Sequence, residues 1–68
     1  MNVRVFVERE RKRVEVELPR GASVKGLLER LKINPVAVVV TVGEDVVTEE
    51  YQLKEKDSVE VHSVVSGG

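Results

Sequence analysis

A few groups in this 68-residue sequence are candidates for chemistry: the terminal pair Gly67-Gly68, the single histidine His62, the acidic pairs Glu44-Asp45 and Glu49-Glu50, and a basic run of Arg9, Arg11, Lys12 and Arg13. Cysteine is absent, which removes disulfides, thiolate metal sites and a cysteine nucleophile. His62 has no serine, cysteine or aspartate at a spacing that reads as a nucleophile with its base, so it is expected to be a surface residue and no catalytic residue is assigned. The acidic pairs lack the ligand pattern of a cation loop and read as turns; no metal site is expected. The basic run is interleaved with Glu8 and Glu10 and has no aromatic platform beside it, so it reads as a solvated turn and not as a nucleic-acid contact. Gly21, Gly26 and Gly43 are isolated, and nothing matches the phosphate-binding pattern GxxxxGK[ST].

The terminal pair remains. A carboxylate carried on two glycines can enter a narrow channel with no side chain in the way, and both residues accept whatever backbone angles the channel imposes. A carboxylate is a poor acyl donor, so its use requires activation, and nothing in this sequence reads as a site that would supply it. The competing reading is a frayed end with no role. What precedes the glycines decides between them.

The bulk properties narrow the choice. A chain of 68 residues is one domain that buries only roughly 60% of its unfolded surface, which leaves no room for a deep cleft in addition to a core. It is not expected to be an enzyme. Hydrophobic residues make up 41% and charged residues 34%, a globular balance. The net charge of −1 supplies no field to hold nucleic acid or an anionic membrane. The longest apolar run, Val36 to Val42, falls far short of the roughly 20 residues that cross a bilayer, and Arg4 and Glu8 interrupt any apolar leader. A cytoplasmic monomer is expected.

The elements that must position the terminus follow from periodicity. Val3, Val5 and Val7 alternate with polar neighbours over 2–8, the signature of a half-buried strand. Arg9 to Lys12 reads as a turn. Val14, Val16 and Leu18 resume the alternation over 13–18, so the two runs form a hairpin. Pro19-Arg20-Gly21 ends it. Ser23 is placed to cap a helix whose apolar stripe is Val24, Leu27, Leu28 and Leu31, stopped by Asn34-Pro35. Gly26 inside it implies either a close approach to the sheet or an unoptimised surface position. Val36 to Val42 reads as a buried strand, 46–48 as a short return after a Gly43 turn, Tyr51 and Leu53 as a satellite cluster under a loop, and 58–65 as the last strand. The expected fold is α+β: a mixed sheet of four to five strands packed on one helix in the order β-β-α-β-β-β, with the first and last strands central and parallel.

That order, the size, and the ending Lys56-Asp57-Ser58-Val59-Glu60-Val61-His62-Ser63-Val64-Val65-Ser66-Gly67-Gly68 resemble the β-grasp sulfur carriers and ubiquitin-like modifiers: ThiS, MoaD, the Urm-like proteins and the small archaeal modifier proteins. The resemblance covers the whole length. One departure is Lys56-Asp57-Ser58, where family members often carry a glycine in the acidic turn. The resemblance implies a β-grasp domain over 1–65 and a flexible tail over 66–68. It implies that an E1-like adenylyltransferase on the partner side consumes ATP with magnesium to adenylate the Gly68 carboxylate, and that a sulfurtransferase leads it to a thiocarboxylate for thiamin, molybdopterin or tRNA thiolation. It also implies possible joining to lysines of target proteins. The chain itself would bind no cofactor.

A carrier must also be recognised. Phe6 lies on the strand face opposite Val3, Val5 and Val7, and His62 and Val64 share the matching face of the last strand. Together with Val39 they would form an exposed apolar patch, and with Ser66 a partner interface. The alternative function is a β-grasp interaction module that is never conjugated, which would not need the glycines.

Overall fold

The computed structural model describes residues 1–64; Val65, the tail over 66–68, and the expected strand end at Val65 lie outside the described residues. The alternating segments form β1 (Asn2–Val7) and β2 (Lys12–Glu17), the helical stripe forms α1 (Val24–Arg30), and β3 (Val38–Val42), β4 (Asp45–Val47) and β5 (Ser58–Ser63) follow. They build one five-stranded sheet in the order β2-β1-β5-β3-β4. β1 and β5 pair in parallel at its centre and the other neighbours are antiparallel. This is the β-grasp arrangement expected from the element order.

The core lies between α1 and one sheet face. Val3, Val5 and Val7 of β1, Val59 and Val61 of β5, Val40 of β3 and Val16 of β2 meet Val24, Leu27 and Leu28 of the helix. Every fully buried side chain among the described residues is valine or leucine, and none is polar. β-Branched valines suit the pleated face. The unbranched leucines suit the helix.

Several boundaries differ from expectation, each for a local reason. The helix ends well before Asn34-Pro35. Lys32 takes a left-handed φ of 59°, its N–H donates to the Glu29 carbonyl at 3.1 Å, and the Ile33 N–H donates to the Leu28 carbonyl at 2.8 Å; this double closure satisfies the last carbonyls. Asn34 and Pro35 instead open a 3₁₀ turn over Pro35–Ala37, where Asn34 Oδ1 accepts from the Val36 N–H at 3.0 Å. Val36 is therefore not in the expected strand but 84% exposed, and β3 begins at Val38. Because β3 stops pairing at Val38 opposite Ser63, β5 stops at Ser63 and Val64 lies beyond it. Residues Glu8–Glu10 form a 3₁₀ turn closed by Arg11 at a φ of 50°, and Lys12 already belongs to β2.

Leu53 is not a satellite. It is 3% exposed in the main core, with Tyr51 packed against it. The loop that carries them also feeds the helix start: the Tyr51 and Glu49 carbonyls accept from the Val24 and Lys25 N–H groups, both at 2.9 Å. Ser23 Oγ accepts from the Gly26 N–H at 3.3 Å, so the expected cap and the loop together satisfy donors that a helix start leaves open. A Cβ on Gly26 would meet nothing closer than Ser23 Oγ at 4.0 Å. Of the two readings of Gly26, the unoptimised surface position is the right one.

Candidate functional site

The central parallel pair fixes which end of the molecule presents the C-terminal segment. β1 and β5 run the same way, so Val7 and Val61 stand in register, and the chain leaves β5 beside the turn that follows β1. Gly67, Gly68 and Ser66 lie outside the described residues. Val64, the last described residue, is 54% exposed, and its N–H donates to the Ala37 carbonyl at 3.1 Å, which aligns the departing chain with the start of β3.

Parity assigns the outer sheet face. With Val5, Val59 and Val40 inward, Phe6, Glu60, His62, Val39 and Thr41 are turned away from the helix. Cross-strand register sets Phe6 beside Arg13 and Glu60, and His62 beside Val39. The structure thus puts Phe6, His62 and Val39 on one face, as the strand pattern implies. It does not make that face a continuous apolar patch. Phe6 is half-buried, with the Arg13 guanidinium 6.0 Å from its ring centroid, a spacing at which a cation is attracted to the ring face. Arg4, Glu15 and Glu60 share a shallow concavity with Phe6. Charges are interleaved with the apolar groups across this surface.

His62 is less simple than an exposed strand histidine. Its Nδ1 lies 3.0 Å from Glu8 Oε2, its Nε2 lies 3.2 Å from Glu60 Oε1 and 3.4 Å from Thr41 Oγ1, and its side chain is 30% exposed. Only the doubly protonated ring donates to both carboxylates at once. A hydroxyl, an imidazole and a carboxylate in line have the connectivity of a nucleophilic triad. Here Glu60 competes for the same Nε2, and Thr41 sits mid-strand between Val46 and Glu60, where ladder bonds occupy the backbone donors that an oxyanion would need. The group therefore ties strand to turn. No cluster of acidic and histidine side chains among the described residues has the geometry to hold a metal ion.

Sequence reasoning missed several members of this surface. Arg13 over Phe6 follows from hairpin register, which the loop length leaves open until the turn is known. Val46, 72% exposed and paired with Thr41, continues the outer face at the sheet edge. Glu8 reaches His62 only through the parallel pairing of β1 with β5, whereas Glu60 stands two residues before it on the same face of β5.

Comparison with known proteins adds three findings. The ThiS family model matches residues 3–68 of this chain, through the terminal glycines. A protein described as sulfur carrier protein TtuB, from Thermus thermophilus, is 41% identical over 56 residues, covering 82% of this chain and 86% of the relative. A solved ubiquitin-like protein from the hyperthermophilic archaeon Caldiarchaeum subterraneum superposes with a TM-score of 0.65 at 13% identity, covering 98% of this chain and all of the other; that likeness establishes the shared fold. No helix among the described residues is long and apolar enough to cross a membrane.

Proposed function

This chain belongs to the ThiS family, and from that premise we propose that it is a sulfur carrier whose working group is the Gly68 carboxylate. The observation that carries the reading is the extent of the family match, which spans from residue 3 in the first strand to Gly68. The sulfur-carrier description of the 41% identical relative supports it.

The chemistry divides between this chain and its partners. On an E1-like adenylyltransferase, a Gly68 carboxylate oxygen attacks the α-phosphorus of magnesium-bound ATP and pyrophosphate leaves. The acyl-adenylate has AMP as its leaving group. A hydrosulfide displaces AMP and leaves the thiocarboxylate directly. A persulfide from a sulfurtransferase gives an acyl disulfide first, which a thiol must then cleave to release the thiocarboxylate. A lysine amine in the place of sulfur gives an isopeptide bond to a target protein. This chain supplies no acid, base or nucleotide site to these steps. It supplies an unhindered carbonyl, two glycines that conform to the channel, and a rigid body by which it is recognised.

Recognition falls to the outer sheet face and the root of the tail: Phe6, His62 and Val64, with Ser66 beside the glycines. A half-buried aromatic held by an arginine is a preformed anchor with little side-chain entropy left to lose on docking. The reactions named belong to the cytoplasm, where ATP is at hand.

Intact mass spectrometry of the protein isolated from its own cells tests the reading. The expected result is a fraction whose mass gain equals one oxygen replaced by one sulfur, absent from a variant lacking Gly68. A Gly68 deletion that preserves every activity of the chain would instead identify a binding module.

A further inference from the structure

At the end of the molecule where β1 and β5 both finish lies a groove of about 470 Å³, separate from the outer sheet face. Val7, Ile33, Val38 and Val61 line it, and Arg9 and Lys32 stand on its rim. Val7 and Val61 belong to the core, whereas Ile33 and Val38 are only partly buried. An apolar floor left open beside cations is a surface shaped for something.

Three observations say what fits. The first is charge. Arg11, which closes the turn, and Lys12, the first residue of β2, follow Arg9; of the turn's two carboxylates, Glu8 is engaged by His62 at 3.0 Å and Glu10 is exposed. Among the described residues no lysine or arginine has a carboxylate within 4.0 Å, so no described acid neutralises these cations by close contact. The second is backbone. Lys32 and Arg11 hold φ of 59° and 50°, a conformation that glycine takes freely and a residue with a Cβ takes at a cost. Cationic side chains stand where glycine would be the stable choice. The third is position. Ser63 lines the same groove, and the residues from Ser63 to Gly68 span at most roughly 17 Å. Whatever grips Gly68 comes within that distance of Ser63, and so of this groove.

We propose that the groove docks a protein segment bearing one aliphatic side chain flanked by carboxylates, carried by the partner that acts on Gly68. The aliphatic group covers Ile33 and Val38, and the carboxylates meet Arg9 and Lys32. A protein segment fits better than a nucleic-acid strand because the floor is aliphatic and offers no ring on which a base can stack. The identity of the bearer rests on the C-terminal reading above; the groove's preference does not.

The test uses the full isotope-labelled chain titrated with a peptide of one leucine between glutamate runs, followed by amide chemical shifts. Shifts at Val7, Ile33, Val38 and Val61 are expected, weakened at least roughly tenfold by Arg9→Glu combined with Lys32→Glu. They are also expected to weaken when serine replaces the leucine. The same double substitution is expected to lower kcat/KM for adenylation at least about tenfold, while the variant's spectrum remains that of a folded chain. Shifts confined to the outer sheet face, equal response to an oligouridylate, or indifference of peptide binding and adenylation to the charge reversals would overturn the proposal. Deleting Gly68 separates the two readings. It leaves peptide binding intact and abolishes sulfur loading; a chain that binds the peptide yet is never adenylated refutes the C-terminal reading alone.

Discussion

The Nδ1 of His62 stands 3.0 Å from the Oε2 of Glu8, across 54 residues of sequence. The parallel register that sets Val7 beside Val61 brings the first residue after β1 next to the penultimate residue of β5. The contact therefore ties the β1–β2 turn to the strand from which the C-terminal segment departs. With side chains 30% and 53% exposed, it should behave as a screened surface pair. A double-mutant cycle with Glu8→Gln and His62→Gln is expected to give a coupling of about 0.3–1 kcal/mol in urea unfolding. In about 1 M salt, where the screening length falls to roughly 3 Å, most of it should vanish. A coupling that ignores salt would mean that a neutral hydrogen bond or packing, not an ion pair, joins the two residues.

Lys56 holds a φ of 73° in the turn where Asp57 Oδ2 accepts from the Lys54 N–H at 2.8 Å. This is the turn in which the resemblance leads one to expect a glycine. Lys32 holds 59° at the helix end. Left-handed backbone costs a residue with a Cβ about 1–2 kcal/mol, and the extra unfolded-state freedom of glycine returns roughly 0.5–1 kcal/mol of that. Lys56→Gly and Lys32→Gly are each expected to stabilise by about 0.5–1 kcal/mol. Gly43→Ala, at a φ of 62°, should destabilise by a similar amount. Urea midpoints decide the matter, and a loss of stability at Lys56→Gly would mean that the lysine side chain holds the turn in a way its backbone does not reveal.

Gly26 is a separate case, because its backbone is ordinary helix and the Cβ it lacks would make only an ordinary contact, with Ser23 Oγ. Gly26→Ala is expected to stabilise by about 1 kcal/mol, raising the melting temperature of a domain this small by roughly 4–8 °C. The Ser23 hydroxyl, 4.0 Å from the new methyl group, keeps its bond to the backbone N–H. A fall in melting temperature would show that the helix start cannot take the added group.

The strand and helix faces were legible because their periods are clean: every alternating valine assigned inward in β1 and β5 is buried. So was the central parallel pair, since one helix must link a hairpin to the remaining strands on the same sheet. The boundaries were less so. Val36 reads as strand by composition, yet Asn34 and Pro35 capture it in a 3₁₀ turn, and a side-chain cap of that kind leaves no periodic signal. Leu53 reads as a loop residue because its neighbours are polar, but its N–H donates to the Ala22 carbonyl at 2.8 Å and draws it into the core. At the candidate site, the sequence placed Phe6, His62 and Val39 on one face by parity alone. It was silent on Arg13 over the Phe6 ring and on Glu8 beside His62, because those depend on cross-strand register, which no single strand encodes; Glu60, two residues before His62 on the same strand face, was within reach of the alternation but went unused.

Phe6 offers the most direct test of the outer face. It points away from the core, so removing its ring opens no cavity beneath α1. Phe6→Thr keeps a strand-favouring residue and should cost no more than about 1 kcal/mol of stability through the lost ring and its arginine contact. Phe6→Asp adds a poor strand former beside Glu60 and should cost somewhat more. If the ring anchors the activating partner, both variants lower kcat/KM for adenylation at least about tenfold, a loss of about 1.4 kcal/mol, as expected of an aromatic near the centre of an interface. The drop should come mainly through KM, because the Gly68 carboxylate and the chemistry on ATP are untouched. Steady-state kinetics with both variants, each first shown to be folded by its melting curve, separates the outcomes. Wild-type rates in both would remove Phe6 from the interface and leave recognition to the groove at the tail's root.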